Sequence, residues 1–421
     1  MPTGGLFAGH DWRVATAPFA LGKKLANDIE QLGRVLLQFY KAANLLYRKS
    51  VEGAQPQWVA RWLELGKPPR IVELQRSATF KTAVPRVIRP DLLLTHDGLS
   101  VTELDSVPGG IGLTAWLNRI YANAGCTVVG GADGMVRGFN SIFGDAPKVH
   151  IVVSEEAATY RPEMQWLAAQ LGPRFNVVRP EDLKIGADEA VYRFFELFDL
   201  PNIPSSSLLF QKAVEKQITI TPPPKAFLEE KMLLALLWNR NLDEFWRQNL
   251  GENFFRRMRA LTPRTWIVDP APLPPHGAIP GLDVTNWAQL EKLSQKERDL
   301  ILKVSGFSAH AWGARGVFLG SDLPGSEWAA ALADALRDFE QSPRVLQKYH
   351  HPALVDTAWY DFEHAKVQPM KGRARLCPYY FVSGEGDAAR ATIGGVLATI
   401  CPADKKIIHG MTEAVFAPCS A

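Results

Sequence analysis

Apolar residues recur at helical spacing through residues 21–47. Leu21, Leu25, Ile29, Leu32, Leu36, Phe39, Ala43 and Leu46 step by three or four, which predicts a long amphipathic helix whose task is packing. A shorter helix is expected at 57–65, with Trp58 and Trp62, ended by Gly66-Lys67-Pro68-Pro69. The pattern then changes. Two short apolar runs, 88–95 and 99–107, flank His96-Asp97-Gly98, and a Pro-Gly-Gly closes the second run. This is a hairpin signal.

Beyond residue 114 the texture alternates. A helix at 114–124 leads to an expected strand at 126–129, a strand at 149–153, a helix at 161–171 and a strand at 175–178. Such order predicts a small α/β domain with partly parallel pairing, placed at 115–215. Glu155, Glu156, Tyr160, Arg161 and Glu163 follow the strand ending at Val153. Sheet ends gather ligands in open α/β folds, but helix capping by Ser154 explains these residues more simply. Thr221-Pro222-Pro223-Pro224-Lys225 is a stiff linker. A helix is expected at 227–238 with Lys231 inside it, then a strand at 263–268 and a Pro-rich loop at 270–280. Next come a strand ending in Lys303, a loop with Gly306, Gly313 and Gly316, and a strand at 317–319. A helix at 327–340 and strands at 343–349, 371–382, 391–400 and 406–416 complete the chain.

The hairpin carries acids, which are poor strand residues. A three-residue loop with Gly98 in the left-handed position would set Thr95 opposite Leu99 and Asp91 opposite Glu103. Alternation would then put Asp91, Glu103 and Asp105 on one face. Opposed carboxylates repel. A hard divalent cation would relieve them; a solvated hairpin face is the plainer alternative.

Near Lys303, small residues let backbone N–H groups approach phosphate oxygens, and the ammonium adds a point charge. A lysine guarding a sheet edge is the alternative. Gly306-Phe307-Ser308-Ala309-His310 resembles GxSxG superficially, but a strand rather than a helix follows, so a serine hydrolase is disfavoured. His350-His351 would point to opposite strand faces and cannot share one cation.

Bulk composition bounds the class. The chain has 421 residues, enough for two or three domains, and 47% are apolar. A net charge of +3 gives no case for nucleic acid. The four cysteines lack metal spacing and read as free thiols. No apolar run reaches the roughly 20 residues that span a bilayer, and the first residues lack a signal-peptide pattern. A cytoplasmic location without membrane partners is expected.

Arg89-Pro90-Asp91, the Asp97-Gly98 turn and Glu103-Leu104-Asp105-Ser106-Val107-Pro108-Gly109 resemble the metal-binding hairpin of ATP-grasp ligases. The hairpin comes early in the chain, which is similar to the circularly permuted members, the glutathionylspermidine synthase-like group. The resemblance implies an α+β fold: a permuted ATP-grasp domain with an inserted small α/β (pre-ATP-grasp-like) domain. Residues 1–114 would carry the N-terminal helices and hairpin, 115–215 the small domain, and 216–421 the nucleotide-binding part and remaining sheet. It implies Mg²⁺ on Asp91, Glu103 and Asp105, the last standing where the family usually has Asn. ATP would lie on Lys231, Lys303, Gly306, Gly313 and Gly316, with its adenine at Gln347, Lys348 and Tyr349, where the common hinge acid is absent. Arg375, with Arg373 second, would meet the transferred phosphate, and the acids would face Lys303. The implied activity is C–N ligation of a small carboxylate and an amine through an acyl-phosphate. The alternative is a nucleotide-binding protein of this fold that has lost ligation and acts on a protein partner.

Overall fold

The computed structural model describes residues 5–274, 277–311, 315–408 and 413–421. The chain divides into two compact units. The first comprises Met1–Lys41, Arg76–Lys225 and His351–Ala421, and the second Ala42–Gln75 and Ala226–His350. One crossing falls inside the Gly22–Val51 helix and another directly after the proline-rich stretch ending at Lys225.

Numbered along the whole chain, the first unit holds β1 (Arg13–Val14), β2 (Phe19–Ala20), β3 (Val87–Thr95), β4 (Gly98–Asp105), β5 (Val149–Val153), β6 (Phe175–Val178), β7 (Ala190–Phe194) and β8 (Thr219–Thr221). The second unit holds β9 (Thr265–Ile267), β10 (Leu300–Val304), β11 (Val317–Leu319) and β12 (Arg344–Lys348). The first unit resumes with β13 (Leu354–Asp361), β14 (Lys366–Ser383), β15 (Arg390–Pro402) and β16 (Val415–Ser420).

In the first unit, eight strands form one sheet in the order β1-β16-β15-β14-β3-β4, with β13 also on β14 and β2 on β16. The long β14 is shared along one side. Lys366–Arg373 pair with β13, and residues 375–381 flank β3. This places the acidic hairpin beside the C-terminal strands. The other sheet of this unit runs β6-β5-β7-β8, and every pairing in it is parallel. A single apolar core joins the two sheets. It contains Ile151, Tyr192 and Phe194 from the parallel sheet, Ile111, Leu117, Phe139 and Met164 from helices, and Tyr379, Phe381 and Leu397 from the large sheet. In the second unit, four antiparallel strands run β11-β10-β12-β9. The Gly325–Arg337 helix packs on them through Trp328, Leu332 and Ala335.

Several expectations need correction. Residues 126–129 form no strand. Their groups are engaged singly, Val129 N–H to Cys419 O at 2.8 Å and Val129 O from Asn118 Nδ2 at 3.1 Å, so no ladder forms. The helix expected at 227–238 is split into a 3₁₀ turn, Ala226–Glu229, and a helix, Met232–Trp238, which leaves Lys231 at the junction. Ser305 causes the break: its carbonyl takes the Lys231 N–H at 2.9 Å and its hydroxyl the Met232 N–H at 3.0 Å. The last strand starts at Val415 rather than 406. A helix at Pro69–Arg76 and the strand β13 were not anticipated.

Candidate active site

The hairpin pairs Asp91 with Glu103, as expected, by a different route. Its tip is a two-residue turn: Thr95 pairs with Gly98, Leu94 with Leu99 and Leu92 with Val101. Gly98, at φ +126°, adopts the positive φ this tip requires. That register alone would send Asp91 to the wrong face. A bulge then intervenes, two residues of β4 against one of β3, and below it Asp91 faces Glu103, Pro90 faces Leu104 and Arg89 faces Asp105. Thr102 is the extra residue, and its hydroxyl donates to Asp91 O at 3.1 Å.

The aspartates bind arginines. Asp91, 5% exposed, accepts from Arg89 Nε at 3.1 Å on Oδ1 and from Arg375 Nη1 at 2.9 Å on Oδ2. Arg89 Nη2 reaches Asp105 Oδ2 at 2.9 Å, and Asp105 Oδ1 accepts the Val107 N–H at 2.9 Å. Burial pushes the Asp105 carboxyl above the ordinary aspartate range, and Arg89 opposes that shift. The Cys377 thiol donates to Asp91 Oδ1 at 3.5 Å. Burial and the Asp91 charge push this thiol up to about 12, so it is no nucleophile.

The Pro108-Gly109-Gly110 turn is held from three sides. Gly109 O accepts from Arg89 Nη1 at 3.0 Å and from Tyr379 OH at 2.7 Å. Glu163 reaches in from its own helix and accepts the N–H groups of Gly110 and Leu113, both at 2.7 Å. It thereby satisfies donors that the Ile111–Asn123 helix leaves open at its start. Burial raises the Glu163 pKa to about 7, against the pull of those two N–H groups and Arg89. The sequence signal for this was the acid in the cluster after β5. Capping by Ser154 also occurs, Ser154 Oγ accepting the Ala157 N–H at 3.3 Å.

These contacts decide how a metal fits. Among the described residues, no group of three or more His, Cys, Asp or Glu side chains is placed to hold a metal ion. Both oxygens of Asp91 accept hydrogen bonds, and of Asp105's two oxygens one accepts the Val107 N–H while the other is ion-paired with Arg89. The arrangement does not fit a resident Mg²⁺ on Asp91, Glu103 and Asp105. Arg373 stands apart from the acids' ion pairs described above, with Nε on Ala403 O at 2.9 Å and Nη1 on Pro352 O at 3.4 Å.

In the second unit, Lys303 lies buried on β10 and donates to Gln347 Oε1 at 2.9 Å; Gln347 Nε2 donates to Thr265 Oγ1 at 3.0 Å. The Lys231 ammonium donates to Ala311 O at 3.1 Å, on the turn that follows β10. A Cβ at Gly306 would come 2.8 Å from Glu230 Cδ, so a larger residue there would have to displace that carboxyl. Gly316 backs onto His310 O, and Gly313 lies outside the described residues. At the expected hinge, the Lys348 N–H donates to Arg264 O at 2.8 Å and the Tyr349 N–H to Asp299 O at 3.0 Å. Two buried ammonium groups beside glycine-flanked backbone form a donor set suited to a polyphosphate.

Sequence reasoning did not single out Lys67 and Glu230. They form an ion pair at 2.6 Å with side chains 0% and 1% exposed, and Ser305 Oγ donates to the other Glu230 oxygen.

No helix among the described residues is long and apolar enough to cross a membrane. The four cysteines are free, and all but Cys126 are buried. No protein-family model and no curated protein matches the chain. Solved structures do. A glutathione synthetase-like effector from Globodera pallida, in its apo form, aligns over 97% of this chain and 90% of its own at TM-score 0.56 and 12% identity. A protein of Methylobacillus flagellatus KT, provisionally designated a gamma-glutamylcysteine synthetase, aligns over 87% of each chain at TM-score 0.42 and 13% identity. The chain thus has a mixed α/β fold similar to that of a glutathione synthetase-like protein.

Proposed function

We propose that the protein is an ATP-dependent carboxylate–amine ligase that works through an acyl-phosphate on a circularly permuted ATP-grasp fold. The observation that carries the reading is the combination of two features. One is the Arg89–Asp91–Arg375–Asp105 cluster on the hairpin. The other is the antiparallel sheet bearing Lys303, with Lys231 and Gly306 at its end. The fold likeness over nearly the whole chain supports it.

In this reading a carboxylate oxygen of the acid attacks the γ-phosphorus of ATP, and ADP leaves. The amine nitrogen then attacks the acyl carbon, phosphate leaves, and the amine loses a proton to give the amide. Lys231, Lys303 and the backbone around Gly306 and Gly316 would hold the polyphosphate, and Gln347 to Tyr349 would border the adenine. Arg375, backed by Arg373, would stabilise charge on the phosphoryl group in transit. Magnesium would arrive as the ATP complex. Its ligation by Asp91, Glu103 and Asp105 would require the arginines to release the two aspartates.

A screen for ADP release over pooled carboxylic acids and amines, with Mg-ATP, tests the reading. Release that needs both an acid and an amine supports ligation. A second reading is a nucleotide-binding protein without ligase activity that acts on a protein partner, and the occupied carboxylate oxygens of Asp91 and Asp105 favour it. Mg-ATP binding without ADP release from any pool would select it.

A further inference from the structure

A buried Lys–Glu pair is costly to desolvate and often gives no net stability over an apolar pair of similar volume. Lys67 and Glu230 nevertheless meet inside the second unit at 2.6 Å. The connections of Glu230 suggest what the pair does. One carboxylate oxygen takes the Lys67 ammonium and the other takes the Ser305 hydroxyl proton. With its proton directed to Glu230, the Ser305 oxygen offers a lone pair to the Met232 N–H, while Ser305 O takes the Lys231 N–H. Ser305 itself is fixed by its N–H on Pro343 O at 3.0 Å. It lies two residues after Lys303 and directly before Gly306. Glu230 directly precedes Lys231, and its carboxyl fills the space above Gly306. The Lys67 ammonium also lies 5.8 Å from the Phe307 ring centroid.

We infer that Glu230, with Lys67 as its buried counter-ion, is a positioning residue that acts through Ser305. It fixes the backbone of Lys231 against the Lys303–Gly306 strand end, and so sets where a nucleotide's phosphates are gripped. The inference rests on the nucleotide-binding part of the proposed function. Neither residue touches the nucleotide. Glu230 orients the Ser305 hydroxyl, Ser305 joins the two lysine-bearing segments, and Lys67 holds the Glu230 carboxylate in place through their 2.6 Å contact.

The test measures Mg-ATP affinity by calorimetry on the full chain, with thermal unfolding as the control for folding. Lys67→Met/Glu230→Leu removes both charges and the acceptor for Ser305. It is expected to fold and to bind Mg-ATP at least tenfold more weakly. Lys67→Met/Glu230→Gln removes the same charges but keeps an acceptor oxygen, and should recover most of the lost affinity. Ser305→Ala, the smallest change, should weaken binding about fivefold and remains informative if the leucine variant does not fold. Affinity within twofold of wild type in Ser305→Ala, or equal losses in the leucine and glutamine variants, would overturn the positioning role while leaving nucleotide binding intact. Failure of the wild-type protein to bind Mg-ATP would overturn the nucleotide reading, and this inference with it.

Discussion

Arg375 Nη1 and Asp91 Oδ2 form a hydrogen-bonded ion pair at 2.9 Å, joining strands that lie 284 residues apart in the chain. Both side chains are largely buried, at 15% and 7% exposed. Removing one member of such a pair leaves an uncompensated charge, although Arg89 still serves Asp91. Arg375→Ala should destabilise the protein by about 3 kcal/mol. Urea unfolding of Arg375→Ala, Asp91→Ala and the double variant measures the coupling, and losses that simply add would show that the pair is not coupled. In the ligase reading, Arg375→Ala also abolishes ADP release while Mg-ATP still binds.

Asp105 has two tasks that substitutions can separate. Asp105→Asn keeps an Oδ1 acceptor for the Val107 N–H but loses the ionic part of the contact with Arg89. It should cost about 1 kcal/mol and be tolerated in activity. Asp105→Ala loses both contacts and should cost roughly 2–3 kcal/mol. Equal losses in denaturant midpoint would show that the backbone contact is idle.

Glu163 gives a pH signature. Its pKa in the folded protein is about 7, against 4.5 ordinarily. Below the unfolded value both states are protonated, and this group's contribution to stability is fully present. Between pH 4.5 and 7 the unfolded chain ionises first, so that contribution is lost as pH rises, by about 3 kcal/mol in all. Glu163→Gln should remove this slope. The wild-type minus variant difference in unfolding free energy should therefore fall from pH 4.5 to 7 and level off above. A flat difference would place the carboxyl at its ordinary pKa.

Lys303 can be tested directly. Mg-ATP should raise the melting temperature of the wild-type protein, because a ligand bound only by the folded state stabilises it. Lys303→Ala should bind Mg-ATP at least tenfold more weakly by calorimetry. An unchanged affinity would leave Lys303 a structural residue that binds Gln347.

Local pattern was legible where the apolar spacing of neighbouring residues is enough to define an element. The strand around Lys303 and the helix Arg161–Leu171 lie where apolar spacing puts them. What escaped depends on distant partners. The split at Lys231 needs Ser305, 74 residues later, to take N–H groups that a continuous helix would use itself. The hairpin pairing at Asp91 followed from a loop count that the structure replaces with a shorter turn and a bulge at Thr102. Bulges leave little trace in an apolar pattern. Nor does any spacing rule join Arg375 to Asp91 or Lys67 to Glu230.

The Arg89–Asp91–Arg375–Asp105 cluster also sets how the hairpin looks from a distance. When all four groups are ionised, their charges cancel. Asparagine at position 105, as in the ATP-grasp pattern, would leave these four positions with an excess positive charge able to draw anions from beyond contact range. With aspartate there, these four positions add no net charge of their own to such attraction. The part of an anion's encounter rate that these four groups set would then change little with ionic strength.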